Sequence, residues 1–187
     1  MYKFRSLLFL IFILSFSFSM GQKEPIDIVR EYITQSNAYN YEEAIKCLSD
    51  AYYESYLVEF EEIKNLDHLR EFFGWRREMQ SECELLAIEA KDETVTTIER
   101  TYNYMDSVLN RKKRTFKITY TIASGKISSS NIDTLNGHSA ITAFNWKRYE
   151  DFQKYCEDKG LYTSLDMNAE DARQLKRNLD LYSKNKN

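Results

Sequence analysis

Few residues in this chain could carry chemistry, and their spacing narrows the choice. There are two histidines, His68 and His138, and three cysteines, Cys47, Cys83 and Cys156. A histidine-based metal site would need both histidines plus carboxylates, and neither HxH nor HExxH spacing occurs. No metal and no cofactor is expected. His68 lies near Glu71, at i+3 on one helix. The pair reads either as ordinary helix surface or as a general base with its neighbour, so His68 and Glu71 are the acid–base candidates, and no catalytic residue is assigned. His138 follows Asn136-Gly137 and is expected in an exposed loop. The cysteine count is odd, with no CxxC pair. They read as buried thiols acting as small hydrophobes or, in an oxidising compartment, as one bridged pair plus a free thiol. GxSxG, Walker A, dinucleotide and EF-hand patterns are absent, and five glycines leave little material for a phosphate-cradling loop.

The residues that could form a binding site are aromatic. Tyr102, Tyr104 and Tyr120 fall in a strand-rich stretch, and Phe72 and Trp75 fall on a helix before it. Tyrosines in a concavity suit a partly apolar ligand with polar ends, and core packing is the plainer reading. Phe72, Trp75, Tyr102 and Tyr120 are the ligand-binding candidates.

The strand-rich stretch runs from Glu82 to Thr134 and reads as four strands. The first, Glu82–Ala90, is broken by Lys91-Asp92-Glu93. Thr94–Tyr104 is rich in Thr, Val, Ile and Tyr, which fit a pleated surface. In Thr115–Ile122, Phe116, Ile118, Tyr120 and Ile122 alternate with polar residues. Ser124-Gly125 turns into Lys126–Asp133. Short turns make neighbours antiparallel. In the second strand, Glu99 shares a face with Val95, Thr97, Thr101 and Asn103, and Arg100 shares the other with Ile98, Tyr102 and Tyr104. The second set is more apolar and is the expected inner face, which leaves Glu99 in solvent. Arg111 to Arg114 form a basic cluster, read as a solvated turn or as an anion-docking patch.

Helices flank the strands. Pro25 opens one whose Ile28, Val29, Tyr32, Ile33 and Ser36 share a face. A second is expected from Tyr41 to Leu48, with Asn40 as N-cap and Glu43 completing a capping-box-like pattern. Ser49 to Glu62 fits helix or strand, and helix is the reading adopted. Asn65 caps a third helix from Leu66 to about Gln80. Leu135 to Ala143 reads as loop or short strand. Helix returns from about Asn145, stops at Gly160, and resumes after an Asn168 cap with Ala172, Leu175, Leu179 and Tyr182 as its apolar stripe.

At the N-terminus, Lys3 and Arg5 precede an apolar run from Leu7 to Phe18, and Ser19-Met20-Gly21 puts small residues at the positions a signal peptidase reads. This is the pattern of a secretory signal peptide cleaved after Gly21. The run is short for a membrane span of about 20 residues. Removing Lys3 and Arg5 takes the formal charge from −3 to −5. An acidic remainder argues against nucleic-acid binding.

The stretch Asn40-Tyr41-Glu42-Glu43-Ala44-Ile45-Lys46-Cys47-Leu48-Ser49-Asp50-Ala51-Tyr52, followed by a helix and a meander in that order, resembles NTF2-like (SnoaL-like) proteins over roughly Ile26 to Thr134. The resemblance implies a curved antiparallel sheet wrapped around helices into a cone with an interior pocket. It includes isomerases, dehydratases, cyclases and epoxide hydrolases beside proteins that only bind, so fold does not choose function. An Asp-Arg-Asp set of the epoxide-hydrolase kind cannot be placed.

The expected protein is therefore α+β: a signal peptide at 1–21, an NTF2-like cone at 22–137, and a helical extension at 138–187 packed on the same domain. It is secreted or periplasmic, without an integral membrane segment after cleavage. Its expected role is non-catalytic binding of a small apolar ligand or a partner protein. The alternatives are a SnoaL-like isomerase or dehydratase using acid–base chemistry in the cone, and a structural dimerisation module. Homodimerisation is compatible with each.

Overall fold

The computed structural model describes residues 23–164 and 166–186, so the expected leader lies outside the described residues. Helix α1 (Pro25–Asn37) opens on its proline and buries Ile28, Val29, Tyr32, Ile33 and Ser36 on one face, as its periodicity requires. Helix α2 (Tyr41–Ala44) is a single turn that tightens into a 3-10 turn at Ile45–Cys47. It stops short of Leu48, and the Asn40 side chain makes no cap bond, because its backbone lies outside the extended region a cap uses.

The stretch expected to be helical after Leu48 is instead a hairpin, β1 (Leu48–Tyr56) and β2 (Phe60–Ile63). Strand β1 pairs antiparallel with β2 and parallel with a strand some 75 residues later in the chain. That long-range pairing overrides the local pattern. The turn is also disguised. Leu57 and Val58 both sit at positive φ, 52° and 65°, where a hairpin turn ordinarily shows Asn or Gly.

Helix α3 (Leu66–Glu78) begins at Asn65, whose side chain accepts the His68 N–H at 2.9 Å. Strands β3 (Glu82–Lys91) and β4 (Thr94–Tyr102) follow. Helix α4 (Tyr104–Val108) interrupts the meander before β5 (Arg114–Ala123) and β6 (Lys126–Thr134). The four strands fall where they are expected, except that β4 stops at Tyr102, and Tyr104, expected at the end of that strand, opens α4 instead. Helix α5 (His138–Asp158) starts seven residues before the expected Asn145, so most of the ambiguous stretch is helix. Gly160, at φ 64°, follows its end. Asn168 accepts the N–H groups of Glu170 and Asp171, each at 3.0 Å, to open α6 (Ala169–Lys186).

The six strands form one sheet in the order β2-β1-β6-β5-β4-β3, antiparallel except for the β1–β6 pair. Register shifts in four of the five pairings bend it. The curved sheet wraps α1, and one core joins α1, α3 and the inner sheet face through Val29, Ile33, Tyr52, Phe73, Val95 and Ile127. A second core joins the end of α3 and α4 to α5 and α6 through Met79, Met105, Leu109, Phe152, Leu175 and Leu179. Gly74 permits this junction. A Cβ there would lie 3.0 Å from the Ala169 Cβ, so α3 and the start of α6 touch backbone to side chain. The Tyr104 hydroxyl donates to Asp180 and ties α4 to α6.

Candidate functional site

Between the two cores the sheet and helices enclose two adjoining chambers. The inner one, about 230 Å³, lies among α1, α3 and the inner sheet face and is lined by Tyr32, Glu54, Cys83, Glu99 and Tyr120, among others. The outer one, about 450 Å³, is walled by β5, β6, α3 and α5, with Phe116, Arg111, His138, Trp146 and Tyr149. Glu54, Phe72, Trp75, Arg114, Ile132 and Met167 border both, so the chambers communicate.

The four aromatic candidates converge here. Phe72, Trp75, Tyr102 and Tyr120 all line the inner chamber. Phe72 and Trp75 lie nearly parallel, 6.2 Å between centroids, and these two also wall the outer chamber. They leave open space and do not fill it. His68 and Glu71 line neither chamber. His68 Nδ1 accepts the Lys64 N–H at 3.4 Å, and Glu71 is exposed.

The inner face of β4 is the reverse of the one expected. Val95, Thr97 and Glu99 are buried, and Glu99 is only 5% exposed. Its carboxylate accepts the Thr97 hydroxyl at 2.6 Å, the Tyr120 hydroxyl at 2.9 Å and the Cys83 thiol at 2.9 Å. Three donors from β3, β4 and β5 offset the desolvation that would otherwise expel it. Hydropathy chose the wrong face because the cavity wall is built from polar groups that satisfy one another.

A second carboxylate, Glu54 on β1, faces it across the cavity. It accepts the Ser130 hydroxyl at 2.9 Å and the Tyr52 hydroxyl at 3.3 Å. Burial pushes its pKa up to about 7, against the Ser130 bond, with the nearby Glu99 charge adding to the rise. Tyr32 packs against Tyr52 and Tyr120 at 6.4 and 6.2 Å between centroids. Burial pushes all three phenols up, so they remain proton donors. Burial and then Glu99 push the Cys83 thiol up, which keeps it protonated and poorly nucleophilic. All three cysteines are free.

The basic cluster is divided. Arg111 and Arg114 turn inward to Asp106, a residue with no exposure, at 3.2 and 3.3 Å. Lys112 and Lys113 stay exposed, over the rings of Phe144 and Tyr102 at 4.6 and 5.3 Å. Asp106 also completes a capping box with Asn103, whose spacing was the overlooked sign of α4. His138 is not in an exposed loop. It is the first residue of α5, half-buried, with its ring 5.1 Å from that of Phe116. Burial, then the Arg114 charge, lower its pKa.

No protein-family model and no curated protein matches the chain. Solved structures do. One, described as an uncharacterised cystatin fold protein from Novosphingobium aromaticivorans, is 12% identical with a TM-score of 0.51 over 59% of this chain and 97% of that one. One described as an NTF2-like protein of unknown function from Cytophaga hutchinsonii is 17% identical with a TM-score of 0.49 over 60% and 91%. One described as a putative ketosteroid isomerase from Kribbella flavida is 11% identical with a TM-score of 0.48 over 58% and 76%. In this chain β1 runs parallel to β6 and α1 lies inside the curve of the sheet.

The chain shares an α+β fold with these structures, a curved mixed sheet wrapped on a helix.

Helix α5 walls the outer chamber through His138, Thr142, Asn145, Trp146 and Tyr149, with Met167 from its connection to α6. Among the described residues no helix is long and apolar enough to cross a membrane.

Proposed function

We propose that this chain is an exported NTF2-like domain that binds a small, largely apolar ligand inside the cone. The observation that carries the reading is the open pair of chambers, where Phe72, Trp75, Ile118, Ile132 and Met167 form an apolar wall between a polar inner end at Glu54 and Glu99 and the arginines of the outer end. Export is supported by the charged, apolar and small-residue pattern of residues 1–21. Both tryptophans of the chain border the cavity, so ligand entry would alter intrinsic emission. Titration of the chain with a panel of small aromatic and aliphatic compounds should give a saturable change for some of them. Ile132→Phe, which occupies shared space between the chambers, should weaken that binding at least tenfold. A panel without effect on either tryptophan would sink the reading.

One observation favours a second reading, acid–base catalysis of the isomerase or dehydratase kind. Glu54, with a pKa of about 7, stands in the cavity opposite neutral tyrosines, so it could hold or release a proton near neutrality. The test is deuterium exchange at the carbon beside the carbonyl of a bound ketone. Exchange that is lost in Glu54→Gln supports catalysis, and binding without exchange leaves the domain as a binder only.

A further inference from the structure

Two guanidiniums and one carboxylate meet at the outer chamber. Asp106 is shared between Arg111 and Arg114 and also accepts the Asn103 N–H at 3.0 Å. The cluster therefore carries one positive charge without a counter-charge. The Arg111 side chain is 10% exposed. Its Nε lies 3.2 Å from Asp106 Oδ1, whereas the Nε of Arg114 and the Nδ1 of His138 are buried with no hydrogen-bond partner among the described residues. All three residues line the outer chamber, whose wall also carries Met105, Phe116, Ile132, Trp146 and Tyr149 beside Asn103, Thr142 and Asn145. A buried cation beside apolar walls is costly unless an anion answers it. The carboxylates bordering the chamber, Glu54 and Glu62, make no ion pair with either arginine among the described residues. Glu54 is instead engaged by hydroxyls at the inner end.

Resting on the ligand-binding reading, we infer that the outer chamber holds the carboxylate of an amphipathic organic acid against Arg111 and Arg114, with the apolar body of the ligand running between Phe72, Trp75 and Ile132. A carboxylate supplies one charge, which matches the single excess cation. A phosphate dianion would overshoot it. Planar carboxylates also suit guanidinium geometry. Burial and Arg114 lower the pKa of His138, so it serves as a neutral hydrogen-bonding neighbour and adds no charge.

The test compares decanoate with 1-decanol by calorimetry at pH 7.5, on the wild-type chain and on Arg114→Gln. The variant keeps the Asp106–Arg111 pair and removes the excess charge. The wild type should bind decanoate at least tenfold more tightly than the alcohol, with the ratio falling as salt is raised. In Arg114→Gln the ratio should collapse to about twofold or less. Equal affinities in the wild type overturn this inference and leave the binding reading standing. Binding of neither compound overturns both. If Arg114→Gln does not fold, the wild-type ratio and its salt dependence still decide.

Discussion

Inside the cone, Glu54 and Glu99 are surrounded by hydroxyls and a thiol, whereas at the β4–β5 connection Asp106 is surrounded by two guanidiniums. The first arrangement satisfies a carboxylate with neutral donors, and at Glu54 burial, against those bonds, raises the pKa to about 7. The second uses the charge structurally: Asp106 caps α4 and orients two arginines at the wall of the outer chamber. Neutral donors permit proton exchange, and cations organise local structure.

The largest break in this contrast is expected from Asp106→Ala. It removes the capping box and leaves Arg111 and Arg114 without a counter-charge, which should cost about 3–5 kcal/mol, read from denaturant unfolding. Glu54→Gln should act in the opposite direction. The folded-state pKa of Glu54 is raised from 4.5 to about 7, so the folded chain holds a proton that the unfolded chain has released. Wild-type stability therefore falls as pH rises from about 4.5 to about 7 and stays lowered above that. The glutamine has nothing to ionise. Glu54→Gln should be more stable than the wild type by about 1–3 kcal/mol at pH 8, with little difference near pH 4, read from unfolding curves at both values. A wild-type curve that rises between pH 5 and 7 would contradict the assignment, once other groups are controlled with the variant. The smallest effect sharpens the role of neutral donors. Cys83→Ala removes one of three bonds to Glu99 and should cost about 1 kcal/mol, while Cys83→Ser keeps a donor and should cost less than half as much.

The contrast also explains what could be read from residues alone. The four strands of the meander, the face of α1, the Asn65 and Asn168 caps and the stop at Gly160 all follow from local pattern, and the structure reproduces them. The four aromatics at the cavity were legible by type and by element. The two carboxylates were not. Glu54 lies in Ala51-Tyr52-Tyr53-Glu54-Ser55-Tyr56, which has no clean period and ends in a turn without glycine, so its local pattern does not distinguish strand from helix. The pattern around Glu99 points to solvent because its face carries Thr97 and Thr101 while the other carries Ile98 and Tyr102. Polarity ordinarily marks the wet face of a strand. Here it marks a wall where hydroxyls, a thiol and carboxylates satisfy one another, and that is a property of five separate segments meeting. Arg111 and Arg114 were obscured in the same way, since their partner Asp106 lay in a short helix inside a stretch read as a turn.

The parallel pairing of β1 with β6 has a consequence for how the chain comes together. Tyr53 meets Ser129 and Tyr56 meets Ile132 across that seam, so β1 has its main partner only after most of the meander has been made. Such distant pairings are slow, because the intervening loop must close before any contact rewards it. The β1–β2 hairpin alone, with its strained apolar turn, is a poor nucleus. The order of assembly expected from this is meander first, seam last. In a refolding pulse followed by amide exchange, protection at β4 and β5 should precede protection at β1, and the cavity, which needs Glu54 in place, should be the last part of the molecule to exist.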